Sequence, residues 1–229
     1  MKLDALYEDN HIIAVYKPAG VLVQGDKSGD KSLMDEVKEY LKEKYKKPGN
    51  VFLGLVHRLD RPVSGIVLFA KTSKGASRLS EQFRNNEINK TYYAVVEGKL
   101  ESKRGKLVHF LKKDEESRKA IVSKSPGQDY DESELEYELI KSNGKYSLVK
   151  INLITGRFHQ IRAQFSAMGH PVAGDRKYLP AGRQAMQSDT VLKGAIALCA
   201  VEIEFKTATT DEIKKLKISY PKEWDGIFK

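Results

Sequence analysis

The chain has 229 residues, of which 40% are hydrophobic and 31% charged, a balance typical of a globular protein rather than a disordered or fibrous one. Its longest apolar run, Ala195–Val201, is far shorter than a membrane-spanning helix, which needs about 20 residues. The one cysteine, Cys199, excludes an internal disulfide framework and a cysteine-based zinc site. We therefore expect a soluble, cytoplasmic protein with no membrane partner.

The charge of the chain is strongly positive. Lys and Arg number 40 and Asp and Glu 31, which gives a net charge of +9 at pH 7. Such a surplus favours a polyanionic partner, because each neutralised phosphate releases counterions. It fits equally a basic surface with no specific partner, so net charge alone leaves both interpretations open.

Two hydrophobic patterns define the predicted elements. Apolar, β-branched runs predict strands at His11–Lys17, Gly65–Lys71, Tyr92–Glu97, Leu107–Leu111, Leu135–Ile140, Ser147–Leu153 and Ala195–Phe205. Apolar residues at helical spacing predict a helix from Ser32 with Asp35 in a capping box, one from about Ser73 to Asn85-Asn86, and one over Thr155–Gly169.

The order of these elements favours an α+β fold. Most strands follow one another directly and helices are inserted at irregular intervals, which is typical of a mixed, mainly antiparallel sheet with flanking helices. No Pro/Gly/Ser linker divides the chain cleanly, and residues 123–134 are expected to form an exposed loop. We therefore expect a single domain over residues 1–229.

The densest polar cluster before a buried strand is HRLDRP, at residues 57–62. Arg58 and Arg61 would hold the carboxylate of Asp60 ionised if they turn towards it. Pro62 stiffens the segment, and a loop attached to a core strand is well suited to fix a carboxylate. The alternative is a surface turn with incidental charges.

A second cluster, LITGRFHQIR, occupies residues 153–162. On a helix, Arg162 lies beside the apolar face formed by Phe158, Ile161 and Phe165. A guanidinium there needs a carboxylate partner, because an unpaired buried charge is costly. The alternative is a surface arginine whose charged end reaches solvent.

The third candidate is Tyr92, in a strand whose alternation places Lys90, Tyr92 and Ala94 on one face. Its ring suits stacking on a base, and its hydroxyl suits proton exchange. The alternative is a core tyrosine with its hydroxyl at the rim of the fold.

Several chemistries lack their motifs. The chain has no GxxxxGK[ST] phosphate loop, no GxGxxG after a strand, no HExxH zinc motif and no GxSxG hydrolase elbow. Its five histidines are scattered without carboxylates at ligand spacing, so we do not expect His57 and His159 to form a metal pair. We expect no metal and no nucleotide or redox cofactor.

Six blocks of residues occur in order between about Leu6 and Phe205. They are Leu6–Asp9 with Lys17-Pro18-Ala19-Gly20; His57–Asp60 with Ser64-Gly65; Lys90, Tyr92 and Ala94; Leu153–Arg162; Gly169-His170-Pro171 with Gly174-Asp175 and Tyr178; and Ala197-Leu198. In these blocks the chain resembles the RluA-type pseudouridine synthases. Six ordered blocks are far more specific than one four-residue motif.

The resemblance implies a set of site residues. It makes Asp60 the catalytic aspartate, Arg162 its ion-pair partner and Tyr92 the tyrosine that stacks near the target uracil. Arg58 would hold the flipped-out nucleotide or fill its vacated place, and Leu198 would contact the substrate. The reaction gains and loses no atoms and needs no cofactor, and it leaves open whether Asp60 acts as nucleophile or base.

The resemblance also implies the partner, which is structured RNA, ribosomal or transfer, bound in a central cleft. A basic run would supply phosphate contacts, unless it is simply a solvated face: Lys103, Arg104, Lys106, Lys112, Lys113, Arg118 and Lys119. Because the match begins at Leu6, we expect no added N-terminal RNA-binding domain, and we expect a monomer. Two residues depart from the family pattern: Val63 stands where threonine is usual, and Cys199 where histidine is common.

Two other functions stay open. A non-catalytic RNA-binding protein would keep the fold without activity, although a decayed copy should have lost at least one of Asp60, Tyr92 and Arg162. A base-releasing nucleosidase would yield free uracil. It would normally need a second carboxylate to handle water, and none stands out beside the motifs.

Overall fold

The computed structural model of the protein describes residues 3–179, 192 and 194–228. The chain divides into two compact units, each made of two segments. The first comprises Met1–Asn89 and Ala200–Ile218, and the second comprises Lys90–Cys199 and Ser219–Lys229. The single domain expected from the sequence stays a prediction.

The described residues form mostly strands. In chain order these are β1 (Ala5–Glu8), β2 (Ile12–Lys17), β3 (Gly54–Leu55), β4 (Ser64–Ala70), β5 (Asn89–Glu97), β6 (Arg104–Asp114), β7 (Lys119–Ser123), β8 (Asp131–Ser142), β9 (Tyr146–Leu153), β10 (Leu198–Lys206) and β11 (Ile213–Lys217). The helices are α1 (Leu33–Lys44), α2 (Ser73–Arg84), α3 (Gln160–Ala167) and a 3-10 helix (Lys222–Phe228).

The sheet of the first unit has the strand order β1-β2-β4-β10, with β3 paired to β4 and β11 to β10. Every residue of β4 is buried, which explains why its sequence is a continuous apolar run rather than an alternating one. On one face, Leu79 of α2 packs in a cluster with Ile12 of β2, Leu68 of β4 and Phe205 of β10. These contacts make β4 a rigid core strand.

Both helices of the first unit begin where the sequence predicts, and α2 also ends where it predicts. Ser32 caps α1 in a capping box: its hydroxyl accepts the Asp35 N–H, and the Asp35 carboxylate accepts the Ser32 N–H. Thr72 caps α2 through the Gly75 N–H. Asn85 ends α2, and Asn86 follows it with a positive φ of 54°.

Glu8 at the end of β1 is the centre of a partly buried polar cluster. One carboxylate oxygen accepts Lys71 Nζ and Tyr45 Oη, each at 2.6 Å, and the other accepts Lys44 Nζ at 2.7 Å and Tyr40 Oη at 3.1 Å. Burial raises the pKa of Glu8, but the hydrogen bonds from Lys44, Lys71 and Tyr45 outweigh burial and lower the pKa to about 2. The cluster ties β1 to the end of α1 and to the residue that follows β4.

The sheet of the second unit has the strand order β5-β9-β8-β6-β7, and all of these pairs are antiparallel. α3 packs against β6 and β7. Its Phe165 ring meets the Tyr137 ring edge-on with centroids 5.6 Å apart, and its Gln164 Nε2 donates to the Ser133 carbonyl at 3.1 Å. The α+β fold with a mainly antiparallel sheet is confirmed. Of the helices in the described part of the chain, none has the length and hydropathy to cross a membrane.

The structure corrects the predicted boundaries of the third helix. The pattern predicts Thr155–Gly169, but α3 begins at Gln160 and ends at Ala167. The preceding residue, His159, has a positive φ of 53°, which a right-handed helix cannot contain. Phe158 is therefore outside the helix rather than on its apolar face.

The strand pattern of the sequence was incomplete. The seven predicted strands correspond to β2, β4, β5, β6, β8, β9 and β10, and the pattern did not predict β1, β3, β7 or β11. These four are short, and β11 carries three lysines in five residues. The expected loop over residues 123–134 is shorter than predicted because β8 begins at Asp131, and the strand expected from Ala195 begins at Leu198.

Candidate active site

The loop between β3 and β4 carries Asp60 and Arg58. Its apolar residues anchor it in the core, because Leu59 and Val63 are buried at 8% and 3% exposure. The Val63 N–H donates to the Asp60 carbonyl at 3.0 Å, which closes a turn between them. Asp60 is left half-buried and Arg58 exposed, so the loop presents both at the surface of a fixed backbone.

His57 fastens the first end of this loop. Its Nε2 accepts the backbone N–H of Leu68 in β4 at 2.9 Å, and its ring stacks on Phe83 of α2 with centroids 4.8 Å apart. These two contacts give His57 a structural role in holding the loop against β4 and α2. Among the residues that the structure describes, no group of three or more His, Cys, Asp or Glu side chains suits a metal ion.

Gly65 fastens the other end of the loop. Its φ of +129° is one that side chains rarely adopt, and a Cβ there would lie 2.4 Å from the Ala200 carbonyl oxygen of β10. Glycine at this position lets β4 approach β10 closely, immediately after the residues that bear the candidate carboxylate.

Arg61 does not stabilise the Asp60 carboxylate, contrary to one expectation from the sequence. Its Nε donates to the Gly20 carbonyl at 2.9 Å, and its guanidinium pairs with Asp30 at 2.7 Å. Arg61 therefore links its loop to the segment that follows β2.

Arg58 does not neutralise Asp60 either. It makes no ion pair or hydrogen bond with any residue in the described part of the chain. An exposed guanidinium of this kind has all its donors available to a ligand.

Tyr92 lies in β5, opposite Ile151 of β9, and is 9% exposed. Two residues earlier, Lys90 is half-buried, and burial lowers its pKa. A Cβ on Gly156 would lie 3.5 Å from Lys90 Nζ, so the start of β5 meets the loop that precedes α3. The assignment of Tyr92 to the substrate stays a prediction.

The side chain of Gln160 holds the loop before α3. Its Oε1 accepts the Thr155 hydroxyl at 2.8 Å and the Arg157 N–H at 3.0 Å, while its Nε2 donates to the Glu134 carbonyl at 3.0 Å. These bonds fold residues 155–159 into a compact loop. That is the physical reason why the helix starts five residues later than the pattern predicts.

His159 occupies a strained position at the end of this loop. Its Nδ1 lies 2.8 Å from the Tyr178 hydroxyl, and its ring stacks on Phe158 with centroids 3.8 Å apart. The Tyr178 hydroxyl also accepts the Ala120 N–H at 2.6 Å. These contacts account for the left-handed conformation of a non-glycine residue.

Arg162 is buried, and Asp175 is its bidentate partner. Arg162 Nε lies 2.6 Å and a terminal nitrogen 2.9 Å from the two carboxylate oxygens of Asp175. The two side chains are only 6% and 1% exposed, which excludes the surface-arginine interpretation. The requirement for a carboxylate partner is confirmed, while the pairing of Arg162 with Asp60, a residue of the first unit, stays a prediction.

Asp175 is the residue of this cluster that sequence reasoning left without a role. It follows Gly174, whose φ is +82° and whose absent Cβ would lie 2.6 Å from the Ala195 carbonyl oxygen. The only feature of the sequence that pointed to Asp175 was its place in the Gly174-Asp175 block, thirteen residues after Arg162. An acidic residue does therefore lie beside one of the motifs.

Leu198, the first residue of β10, is 4% exposed, and the neighbouring Cys199 is fully buried. Both form part of the apolar interior. A substrate contact from Leu198 stays a prediction.

The basic run of the second unit is largely neutralised by its own carboxylates. Four of its seven members form ion pairs: Arg104 with Glu138, Lys106 with Glu134, Lys112 with Asp129 and Lys113 with Glu115. This supports the solvated-face interpretation for those four residues.

Comparison with known proteins identifies the family. The family model described as RNA pseudouridylate synthase matches residues 11–167. The chain is 30% identical to the uncharacterized RNA pseudouridine synthase YhcT of Bacillus subtilis, over 99% of this chain and 71% of that relative. It is 35% identical to tRNA pseudouridine synthase C of Haemophilus ducreyi, over 78% of this chain and 74% of the relative.

Two further similarities agree with this match. The chain is 35% identical to the dual-specificity RNA pseudouridine synthase RluA of Vibrio cholerae, over 78% of this chain and 69% of the relative. In fold it is similar to the human RNA pseudouridylate synthase domain containing 4, with a TM-score of 0.79 and 20% identity over 98% of this chain and 90% of that one. The chain belongs to the RNA pseudouridine synthase family, whose members isomerise uridine to pseudouridine in RNA.

Proposed function

We propose that this protein isomerises specific uridines of structured RNA, ribosomal or transfer, with Asp60 as the catalytic carboxylate. The observation that carries the proposal is the loop between β3 and β4. Leu59, Val63 and His57 fix its backbone, yet Asp60 stays half-buried and Arg58 exposed. The RNA classes follow from the names of the relatives, which include a tRNA pseudouridine synthase and a pseudouridine synthase of the large ribosomal subunit.

The chemistry suits a single carboxylate. The bond between uracil N1 and the sugar C1′ breaks, the base rotates, and C5 bonds to C1′; the hydrogen on C5 leaves and N1 gains one. The overall change is an isomerisation, so no oxidant, reductant or co-substrate is consumed. Asp60 acts at the sugar or base, either as nucleophile or by removing a proton.

The remaining residues hold the target and the carboxylate. The target uridine must leave its stack, which costs a few kcal/mol and costs least for a base in a loop. Arg58 holds the flipped-out nucleotide or fills its place, Tyr92 stacks near the target uracil, and Leu198 contacts the substrate. Arg162 pairs with Asp60, and its bond to Asp175 keeps the guanidinium in one orientation.

The proposal includes action as a monomer in the cytoplasm. The chain has a single cysteine, Cys199, which is buried, and this is compatible with a reducing compartment. Light scattering coupled to size exclusion, in the presence and absence of RNA, measures the oligomeric state.

The test is tritium release from RNA labelled at uridine C5 and taken from a strain that lacks this gene. We compare wild type, Asp60→Ala, and Asp4→Ala, which removes an exposed aspartate of the same unit. We expect release by wild type and Asp4→Ala, and a loss of about 10⁴-fold or more for Asp60→Ala. RNA binding should be retained by all three.

Two outcomes would overturn the proposal. RNA binding without release by any of the three proteins would favour the non-catalytic RNA-binding function. Free uracil among the products would favour a nucleosidase.

A further inference from the structure

Lys90, the second residue of β5, is a half-buried lysine without an acceptor for its ammonium. It makes no ion pair or hydrogen bond with any residue in the part of the chain that the structure describes. Lys71 of the first unit, by contrast, donates to the carboxylate of Glu8 and to the carbonyl of Asp9. A partly desolvated ammonium that lacks such partners favours the binding of an external anion.

The backbone of Gly156 faces this ammonium. Thr91 of β5 pairs with Asn152, and β9 ends at Leu153, so the loop that follows β9 passes the start of β5. A Cβ on Gly156 would lie 3.5 Å from Lys90 Nζ, and it would meet no other atom of the described chain beyond its two neighbours within 4 Å. The space in front of the ammonium is therefore open, and glycine keeps it open.

The hydrogen bonds around Gly156 hold its backbone and leave one donor over. On one side, the Thr155 N–H donates to the Glu134 carbonyl at 3.1 Å. On the other side, the Arg157 N–H donates to Gln160 Oε1 at 3.0 Å. The N–H of Gly156 itself makes no hydrogen bond with a residue that the structure describes, and Gly156 is exposed. A lysine ammonium and a backbone N–H on a held loop are the kinds of donor that contact RNA phosphates.

Strand geometry relates this pair of donors to Tyr92. Lys90 and Tyr92 are two residues apart in β5 and lie on the same face of the strand. Two residues of a strand span about 7 Å, so an anion held at Lys90 would lie close to the Tyr92 ring. The phosphate of the nucleotide that Tyr92 contacts, or of its neighbour in the RNA, suits this distance.

We propose that Lys90 and the Gly156 N–H bind one phosphodiester of the RNA backbone beside the nucleotide at Tyr92. This inference rests on the proposed function, which supplies RNA as the ligand and places the uracil near Tyr92. The site takes a phosphate rather than a base edge, because an ammonium has donors and no acceptor. A phosphate contact positions the RNA without reading its sequence, so its loss should weaken the binding of all sequences alike.

The test uses two variants and a matched control. Lys90→Met removes the charge and keeps an unbranched side chain. Gly156→Ala leaves the charge in place and adds a methyl group in front of it, at an ordinary contact distance. The control is Lys99→Met, which removes an exposed lysine beyond the other end of β5 that likewise makes no ion pair within the described residues. Circular dichroism and thermal melting establish that each variant is folded, and Gly156→Ala carries the test if Lys90→Met does not fold.

The first measurement is the salt dependence of RNA binding, with a short fluorescent oligouridylate followed by anisotropy. For Lys90→Met we expect affinity about 10-fold lower at low salt, because one charge-assisted hydrogen-bond partner is lost. The slope of log K against log salt should fall by about 0.7, the contribution of one phosphate contact to a single strand. Gly156→Ala should also lower the affinity, and Lys99→Met should match wild type in both quantities.

The second measurement locates the contact, through the amide signal of Gly156 in nuclear magnetic resonance spectra. We expect oligouridylate to shift this signal in wild type and to leave it unchanged in Lys90→Met. An oligouridylate with uncharged methylphosphonate linkages should not shift it. An equal shift with inorganic phosphate, at the same concentration of phosphate groups, would indicate a site for free phosphate and would overturn the assignment to RNA.

Failure of this inference and failure of the proposed function are distinguishable. A folded Lys90→Met protein with the wild-type slope, an equal loss in Lys99→Met, or no binding of oligouridylate by wild type would overturn the phosphate site. Tritium release by wild type would still stand in each of these cases. A wild-type protein that releases no tritium, but whose slope falls on replacing Lys90, would refute the proposed function and support the phosphate site.

Discussion

Replacing Asp175 by asparagine isolates the buried ion pair with Arg162. The carboxylate accepts two bonds from the guanidinium, at 2.6 and 2.9 Å, and one from the Lys177 N–H at 3.2 Å. The asparagine amide keeps the shape but turns one acceptor into a donor that faces another donor. Hydrogen bonds to charged groups contribute about 1.5–3 kcal/mol each, and breaking a buried pair costs about 3–5 kcal/mol, so we expect a loss of about 3–5 kcal/mol in the free energy of unfolding.

The matched control is Glu138→Gln. Arg104 also donates twice to Glu138, at 3.2 and 2.7 Å, but these side chains are 79% and 43% exposed. Solvent screens such a pair, so its loss should cost at most about 1 kcal/mol. Comparing the two variants tests the effect of burial, because both remove the same kind of arginine–carboxylate contact.

The assay is urea unfolding followed by tryptophan fluorescence. The single tryptophan, Trp224, is 2% exposed and belongs to the same unit as Asp175. The double variant Arg162→Met/Asp175→Leu should recover to within about 1 kcal/mol of wild type in the free energy of unfolding, because apolar residues can replace a buried pair. Its activity should be lost, because it lacks the Arg162 guanidinium proposed to pair with Asp60. Equal costs for Asp175→Asn and Glu138→Gln would refute the reasoning.

Three other predictions concern the first unit. The pKa of Glu8 is held at about 2 instead of 4.5, so Glu8 contributes stability that is fully present above pH 4.5 and is lost as the pH falls towards 2. In acid unfolding, wild type should therefore lose up to about 3 kcal/mol in the free energy of unfolding relative to Glu8→Gln. Parallel curves of stability against pH for the two proteins would contradict this. Gly65→Ala should lose about 3 kcal/mol or more in urea unfolding, because its Cβ meets the Ala200 carbonyl; a wild-type midpoint would exclude the clash. His57→Ala leaves the Leu68 N–H without the His57 acceptor and should lower the free energy of unfolding by about 1–3 kcal/mol. Thermal melting measures this loss, and an unchanged melting temperature would disprove it.

Local patterns were sufficient to predict the core of the first unit. The run of apolar residues in β4 needs no distant information, because burial on both faces imposes it. The capping box at Ser32 is likewise complete within four residues. Elements of this kind are readable from the sequence because each is specified by its own residues.

The rest depended on contacts between distant residues. Gln160 delays the start of the helix through bonds that reach the Glu134 carbonyl, 26 positions away in the chain. Asp175 faces Arg162 only because a glycine turn places it there. The strand β7 is stabilised by pairing with β6, and the pattern of its own five residues does not predict this pairing. The proposed catalytic role of Asp60 rests on the family resemblance, because a hydrophobic period carries no information about catalysis.

The self-neutralised basic run has a consequence for how RNA would approach the protein. A lysine and a glutamate held within about 3 Å form a dipole, and the potential of a dipole fades faster with distance than that of a single charge. Beyond a Debye length of about 8 Å, the four paired cations therefore attract a polyanion weakly. Long-range steering must come from cations outside these four pairs, and replacing both members of a pair by neutral residues should change the association rate little.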